Sequence, residues 1–277
     1  MNARVFPLAA ALLAAVLVSP SALWPQTAPG APRLSRAEME EFLLHAKVIR
    51  TRTVSTGVTG SQRATLTDGK LTHDAHIQSI DISRQEFRSD RDVELNFRDS
   101  YKFNIAAYRL GLLLGIENIP VSVERKVAGK TSAVTWWVDD VLMDEAARHA
   151  KNIPAPDPER WNREMHVVRV FDQLIYNTDR NLRNLLITKN WELEMIDHTR
   201  AFRIRTDLRE PRNLRQCDRA LLKRLQALNR DEMLRQLRPL LTRREIDAVL
   251  ARRDKIVDLF QAAIREKGEG AVLYDLK

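Results

Sequence analysis

The sequence predicts an α+β protein whose first half is rich in strands and whose second half is mainly helical. Short β-branched runs separated by turn residues occupy positions 47–80 and 121–138, whereas Leu and Ile at helical spacing dominate after position 140. Glycine is scarce, at 9 of 277 residues, and 30% of the residues are charged. This composition favours helices with solvated faces, and the length suits one large domain or two lobes around a cleft.

Composition narrows the classes of partner. The net charge of +8 suits a nucleotide, a phosphorylated substrate or a membrane surface, although solvated helix faces account for it equally well. Binding of nucleic acid or an anionic envelope surface has only this charge in its favour, and nucleic acid is not expected because basic and aromatic residues do not interleave. A single cysteine, Cys217, excludes an internal disulfide. No zinc site is predicted, since His73 and His76 lack thiol neighbours.

Residues 1–30 have the pattern of an export signal. Arg4 is followed by an apolar run over 6–18 and a proline-rich exit over 19–32. The apolar run is short for a membrane span. We therefore expect a secreted or periplasmic protein whose mature chain starts between Ala22 and Arg33. The alternative is an uncleaved anchor, which would confine membrane contact to this N-terminal segment.

The next elements form a strand-rich region. A capping box, Ser35 with Glu38, opens a helix that runs to about Ala46. Strands are predicted over 47–54, 62–67 and 71–80, with an Asp-Gly turn at 68–69. The loop over 55–61 contains Gly57 and Gly60. Its backbone N–H groups could cover phosphates, and an ordinary flexible hairpin is the alternative.

A helix over 99–115 follows, with Asp99 as the expected N-cap and Gly115 as the residue that ends it. Two further strands are predicted over 121–127 and 132–138. Beyond position 140 the predicted elements are helices over 143–150, 161–176, 219–227, 230–240 and 242–265. The last of these opens with a second capping box, Thr242 with Glu245.

The segment 170–202 concentrates the polar residues that suggest chemistry. Its helical period breaks near Asp179, and two strand-like runs over 185–188 and 191–196 follow. A two-residue hairpin tip at 189–190 would place Asn184 opposite Met195. Asp197 would then lie one same-face step away, about 7 Å from Asn184 at the backbone. Such oxygen ligands suit Mg²⁺ that is also held by phosphates. The alternative is a polar loop in which Asp197 caps a turn.

This segment carries a resemblance. Asp-Arg-Asn-x-x-Asn from Asp179 to Asn184, followed by Ile-Asp-His-x-x-x-Phe from Ile196 to Phe202, is similar to the catalytic and metal-binding loops of the protein-kinase-like superfamily. The closest branches are the phosphatidylinositol 3/4-kinases, the HipA-type kinases and the secretory-pathway casein kinases. The resemblance implies a two-lobed fold, with a small antiparallel-sheet lobe over 31–139 and a mainly helical large lobe over 140–277.

The same resemblance implies roles and ligands. Asp179 corresponds to the catalytic Asp, and Asn184 and Asp197 correspond to the metal ligands. The implied cofactor is Mg²⁺, with ATP as co-substrate. The acceptor would be a hydroxyl of an unidentified protein, lipid or small molecule.

The resemblance fails at one ion pair. Kinases use a strand lysine and a helix carboxylate to hold phosphates, and the matching positions here carry Gln78 and Asn104. Losing both charges together leaves no unpaired buried charge, and the two amides could still donate to a nucleotide. The lysine position can be assigned along this strand to within about two residues. Lys102 and Arg125 are alternative sources of the missing cation. The sequence thus predicts an exported phosphotransferase or, alternatively, a pseudokinase that binds nucleotide or serves as a scaffold.

Overall fold

The structure is a computed structural model that describes residues 34–54, 61–88 and 93–276. The predicted export signal, Gly57 and Gly60 lie outside the described residues. Within the described residues, none of the helices combines the length and the apolar character that crossing a membrane requires.

The small lobe is built on a five-stranded antiparallel sheet. Its elements are α1 (Arg36–His45), β1 (Lys47–Thr53), β2 (Gln62–Thr67), β3 (Thr72–Gln78), β4 (Asp81–Arg88), β5 (Val93–Ser100), α2 (Lys102–Leu114), β6 (Ser122–Val127) and β7 (Lys130–Trp136). The strand order is β1-β2-β3-β7-β6. Helices α1 and α2 both pack against β6 and β7. Helix α1 starts with the predicted capping box.

Helix α2 starts later than the sequence predicted. Its N-cap residue is Tyr101, without a side-chain cap, whereas Asp99 lies at the end of β5. The Asp99 N-cap prediction is therefore wrong, because β5 pairs with β4 in a hairpin that the sequence did not indicate. The described residues of β4 are almost all exposed, so no apolar period marks this strand. The helix ends at Gly115, as predicted, in the left-handed conformation.

The large lobe is mainly helical. Its elements are β8 (Val141–Asp144), α3 (Glu145–Ala150), α4 (Pro158–Ile175), β9 (Leu185–Thr188), β10 (Leu193–Met195), β11 (Cys217–Asp218), α5 (Arg219–Ala227), α6 (Arg230–Leu237), α7 (Arg243–Lys267), α8 (Glu269–Val272) and β12 (Leu273–Tyr274). Strands β8, β9 and β10 form an antiparallel sheet, and β11 pairs in parallel with β12. Helix α7 packs against α4, α5 and α6 and opens with the predicted capping box.

A buried arginine on α7 binds two other segments of the large lobe. Arg252 is fully buried. Its guanidinium donates to the carbonyl oxygens of Leu174, at 2.8 Å, and of Arg203, at 2.9 Å. It thereby ties α7 to the end of α4 and to the chain that follows Asp197. A buried guanidinium is tolerated here because backbone carbonyls replace much of its hydration.

The β9–β10 hairpin has a longer tip than predicted. Thr188 N donates to Glu192 O at 3.0 Å, so three residues form the loop, and the third, Trp191, has φ +59°. A residue in the left-handed conformation is typical of a three-residue hairpin loop. Met195 consequently pairs with Leu185. The predicted two-residue tip and the pairing of Asn184 with Met195 are therefore wrong by one residue.

Candidate active site

The loop that contains Asp179 is fixed by its own polar residues. Helix α4 ends at Tyr176, which has a left-handed conformation. The Asn177 side chain then accepts from Asp179 N at 3.1 Å, and the Thr178 hydroxyl donates to Arg200 O at 2.9 Å. Short polar side chains of this kind compete with helical hydrogen bonds and favour turns. The sequence therefore breaks the helix just before the candidate catalytic residue.

The structure brings Asp179, Asn184 and Asp197 together, although by a different route from the predicted one. Asn184 ends a short 3-10 helix, and its Nδ2 donates to Asp179 O at 3.2 Å. Its own carbonyl accepts from Ile196 N at 3.1 Å, which places Asp197 next to it. Asp197 has φ +55° and so departs from the alternation of the strand. Asn184 and Asp197 therefore do not lie on one face of the hairpin as predicted, yet the residues still meet.

Arg180 locks both ends of the hairpin in place. Its Nη1 donates to the carbonyl oxygens of Asn184 and Ile196, each at 2.9 Å. Its Nε lies 2.9 Å from an Asp172 carboxylate oxygen on α4, and its Nη2 lies 3.0 Å from His198 Nε2. Burial, reinforced by Arg180, holds the pKa of His198 well below its usual range. The imidazole is therefore neutral and accepts from the guanidinium.

A second arginine connects the candidate catalytic residue to the small lobe. Arg200 Nε donates to Asp99 Oδ2 at 3.0 Å, and its Nη1 lies 3.8 Å from Asp179 Oδ2. The Asp99 side chain is 3% exposed, and its other carboxylate oxygen accepts no hydrogen bond from the described residues. The sequence pattern did not predict either residue as part of the site. Arg200 stood at an unspecified position of the motif, and Asp99 was assigned to a helix cap.

The environment of Asp179 alters its acidity. Burial raises the pKa of this half-buried carboxyl above its usual range, and the carboxylates of Asp197 and Asp99 raise it further, while Arg200 lowers it. A carboxylate with a raised pKa holds a proton more strongly and is a better general base near neutral pH. The site therefore contains a proton acceptor beside two oxygen-bearing side chains.

A histidine on β3 interacts electrostatically with Asp197. Ala75 and Ile77 are buried in the core, so alternation puts His76 and Gln78 on the other face. Burial lowers the pKa of His76, and the Asp197 carboxylate raises it by a smaller amount. The dominant effect favours the neutral imidazole at pH 7. His76, two positions before Gln78 on β3, therefore interacts electrostatically with Asp197.

The other residues considered for nucleotide binding have defined contacts. Gln78 is buried, and its Oε1 accepts from Ile80 N at 3.3 Å. Asn104 Oδ1 accepts from His198 N at 2.7 Å, so α2 is bonded directly to the segment after Asp197. Lys102 Nζ binds Asp81 at 3.0 Å, and the Arg125 guanidinium binds Leu43 O at 2.9 Å. Lys102 and Arg125, the two alternative cations, are therefore bound by β4 and α1.

The oxygen atoms at the hairpin end suit a hard cation. The amide nitrogen of Asn184 donates to Asp179 O, and Asp197 Oδ1 accepts from the Thr199 hydroxyl. The remaining oxygens, Asn184 Oδ1 and Asp197 Oδ2, make no hydrogen bond to the described residues. No group of three His, Cys, Asp or Glu residues in that part of the chain could hold a metal. Two oxygen ligands fit an ion that takes its remaining ligands from water and phosphates, as Mg²⁺ does.

The chain is similar to known proteins in its three-dimensional structure. No family model and no curated protein sequence matches the chain. The structure of hydra Fam20 with sugar matches with a TM-score of 0.66 and 16% identity, covering 86% of this chain and 92% of that one. The Golgi casein kinase with Mn/ADP bound matches with a TM-score of 0.64 and 11% identity, covering 87% and 79%. The chain has a protein-kinase-like fold. This kinase-like fold confirms the predicted α+β class with two lobes and the resemblance to the secretory casein kinases.

Proposed function

We propose that this kinase-like protein is a Mg-ATP-dependent phosphotransferase that acts on a hydroxyl group. The observation that carries the proposal is the meeting of Asp179, Asn184 and Asp197 at one end of the β9–β10 hairpin, with Asn184 Oδ1 and Asp197 Oδ2 left without hydrogen bonds to the described residues. The Golgi casein kinase, which shares the fold, has a structure with Mn/ADP bound. That neighbour supports a nucleotide and a divalent cation as ligands here.

The proposed roles follow from the contacts. Asp179 orients the acceptor hydroxyl and takes its proton as the hydroxyl oxygen attacks the γ-phosphorus of ATP. The bond from that phosphorus to the bridging oxygen breaks, and ADP leaves with the electron pair. Asn184 and Asp197 would hold Mg²⁺, which neutralises phosphate charge when bound. Arg200 keeps the Asp179 carboxylate in position through its pairing with Asp99.

A second candidate function is a pseudokinase that binds nucleotide or serves as a scaffold. It is favoured by β3, where His76 rather than a lysine lies in range of Asp197 and where burial favours the neutral imidazole. Kinases place a lysine on this strand to hold the α- and β-phosphates. Gln78 and Asn104 would then contribute neutral hydrogen bonds only, each worth about 0.5–1.5 kcal/mol.

Two substitutions separate these functions. Asp197→Asn should abolish the rise in melting temperature that ATP and Mg²⁺ cause, because it removes the charged metal ligand. Asp179→Asn should keep that rise and lower radiolabelled phosphate transfer by about 10²–10⁴-fold, the range for loss of a general base. Asp258→Asn, at an exposed position of α7, is the matched control and should behave like the parent.

The results of these measurements distinguish the phosphotransferase from the pseudokinase. A parent whose melting temperature ATP and Mg²⁺ leave unmoved would contradict nucleotide binding and with it the enzyme proposal. Nucleotide binding that depends on Asp197, without transfer to proteins, lipids or sugars offered as acceptors, would favour the pseudokinase.

A further inference from the structure

A basic cavity lies where the start of α2, the end of α6 and the start of α7 meet. Its volume is about 260 Å³, and its wall includes four cationic side chains, Arg98, Lys102, Arg238 and Arg243. No acidic side chain is among its lining residues in the described part of the chain. The cavity therefore gathers like charges, which repel one another unless an anion lies between them.

The charges around this basic cavity do not balance. Arg98 pairs with the buried carboxylate of Glu245, and Lys102 Nζ lies 3.0 Å from Asp81. Arg238 and Arg243 are exposed, and neither forms a side-chain hydrogen bond or an ion pair with the described residues. Four cations against two carboxylates leave two positive charges, which a single dianion would neutralise.

Two helix N-termini add to the positive potential. Lys102 is the first residue of α2, which has 13 residues, and Arg243 is the first residue of α7, which has 25. Both residues line the basic cavity. The N-terminal end of a helix carries a partial positive charge. The cavity thus combines side-chain cations with two helix ends that favour the same kind of ligand.

The basic cavity is distinct from the candidate active site. Strand β5 directs Arg98 toward Glu245 on α7, whereas the next residue, Asp99, binds Arg200 beside Asp179. Successive strand residues point to opposite faces, so β5 separates the cavity from the residues proposed to hold ATP. A ligand in the cavity would therefore be a second molecule or a second group.

We propose that the basic cavity binds phosphate as a dianion, either free or as a phosphate monoester. The volume lies below the range of about 300–1,000 Å³ that is usual for drug-sized ligands, which favours a small anion over a whole nucleotide. Guanidinium groups match phosphate oxygens with paired N–H donors. This site is independent of the proposed transferase activity.

Calorimetry on the full chain tests the site without ATP or divalent metal. Sodium phosphate should bind the parent saturably, with sodium chloride at matched ionic strength as the reference. Arg238→Ala with Arg243→Ala should weaken binding by about tenfold or more, since it removes both unpaired cations. Arg235→Ala with Arg244→Ala removes the same charge from exposed positions on α6 and α7 and should leave the affinity unchanged.

The remaining arms identify the source of the phosphate and guard against misfolding. Tighter binding of phosphoserine than of inorganic phosphate would assign the site to a phosphorylated partner, and the reverse order to the free ion. Arg238→Gln should also weaken binding if the double variant unfolds. Equal affinity in the two double variants, no saturable phosphate binding in the parent, or acetate binding as tightly as phosphate would overturn the proposal.

Discussion

At the scale of single residues, the candidate site depends on charges that compensate one another. Asp99 is buried, and its carboxylate oxygen lies 3.0 Å from Arg200 Nε. Arg200→Gln would leave this carboxylate buried without its counter-charge, so we expect a loss of about 3–5 kcal/mol in the free energy of unfolding. Adding Asp99→Asn should recover most of that loss, because two neutral amides can hydrogen-bond each other. Urea unfolding of the four proteins measures the coupling, and additive losses would contradict it.

A second residue makes stability depend on pH. Burial raises the pKa of Glu194 on β10 to about 8, with nearby Arg36 lowering it and the carboxylates of Glu192 and Glu164 raising it. The carboxyl of an unfolded chain titrates near 4.3. Between these values the folded protein holds a proton that the unfolded chain has lost. The free energy of unfolding should therefore fall as pH rises through this window, by at most about 1.4 kcal/mol per pH unit, and level off above it.

Glu194→Gln tests this dependence. The neutral amide carries no titratable proton, so the variant should match the parent near pH 4.5 and exceed its stability increasingly up to pH 8. Urea unfolding at several pH values measures the difference. Glu266→Gln, at an exposed position near the end of α7, should give a curve parallel to that of the parent. A Glu194→Gln curve that is also parallel would contradict the assignment.

At the scale of elements, single residues with positive φ lie at the end of α2 and at the tip of the β9–β10 hairpin. Gly115 ends α2 with φ +64°, and the sequence predicted it because glycine adopts this conformation freely. Trp191 adopts a similar conformation at the β9–β10 tip and was not predicted, since the left-handed region disfavours bulky residues. Its ring packs against Trp161 in a T-shaped contact with centroids 6.0 Å apart. Trp191 is the extra residue of this loop, and the longer loop shifts the pairing of β9 with β10 by one position.

The end of α2 gives a prediction at this scale. Gly115→Ala should lower the free energy of unfolding by about 1–2 kcal/mol, the usual cost of a left-handed alanine. The new Cβ would also meet the Arg224 guanidinium, which can move because it is the end of a flexible side chain. Thermal unfolding measures the loss. Gly270→Ala, which meets no atom within 4 Å and has no positive φ, should not destabilise, and equal effects at both positions would contradict the argument.

At the scale of the whole molecule, the lobes are joined at the candidate site. Asn104 on α2 bonds to His198 N, and Arg200 bonds to Asp99 on β5. Both contacts link the small lobe to the segment that contains Asp197. Substitutions at these contacts should thus affect the folding of the domain as well as any chemistry.

A prediction at this scale concerns the export of the chain and its N-terminal segment. We expect export and a mature N-terminus between Ala22 and Arg33, since the pattern of residues 1–30 is that of a signal peptide. Cleavage there would leave intact the capping box of α1, which begins at Ser35. N-terminal sequencing of protein from the native host measures the start. An intact Met1 in a cytoplasmic fraction would contradict the prediction.

The sequence by itself determined the elements whose signals are local. Strand 62–67 coincides with β2 and helix 219–227 with α5, both capping boxes formed, and the polar motif around Asp179 indicated the kinase-like fold that the comparisons support. Periodicity, caps and turn residues act within a few positions, so they can be read from the chain alone.

Only the tertiary structure decided which distant residues meet. The pairing of Asp99 with Arg200 and the electrostatic interaction of His76 with Asp197 join positions far apart in sequence. The one-residue shift of the β9–β10 hairpin depends on a residue with positive φ. Such contacts follow from the packing of both lobes, because burial alters charges and dihedral preferences that the isolated segments would not show. The sequence named Asp179, Asn184 and Asp197, whereas the ionic surroundings of those residues come from the fold.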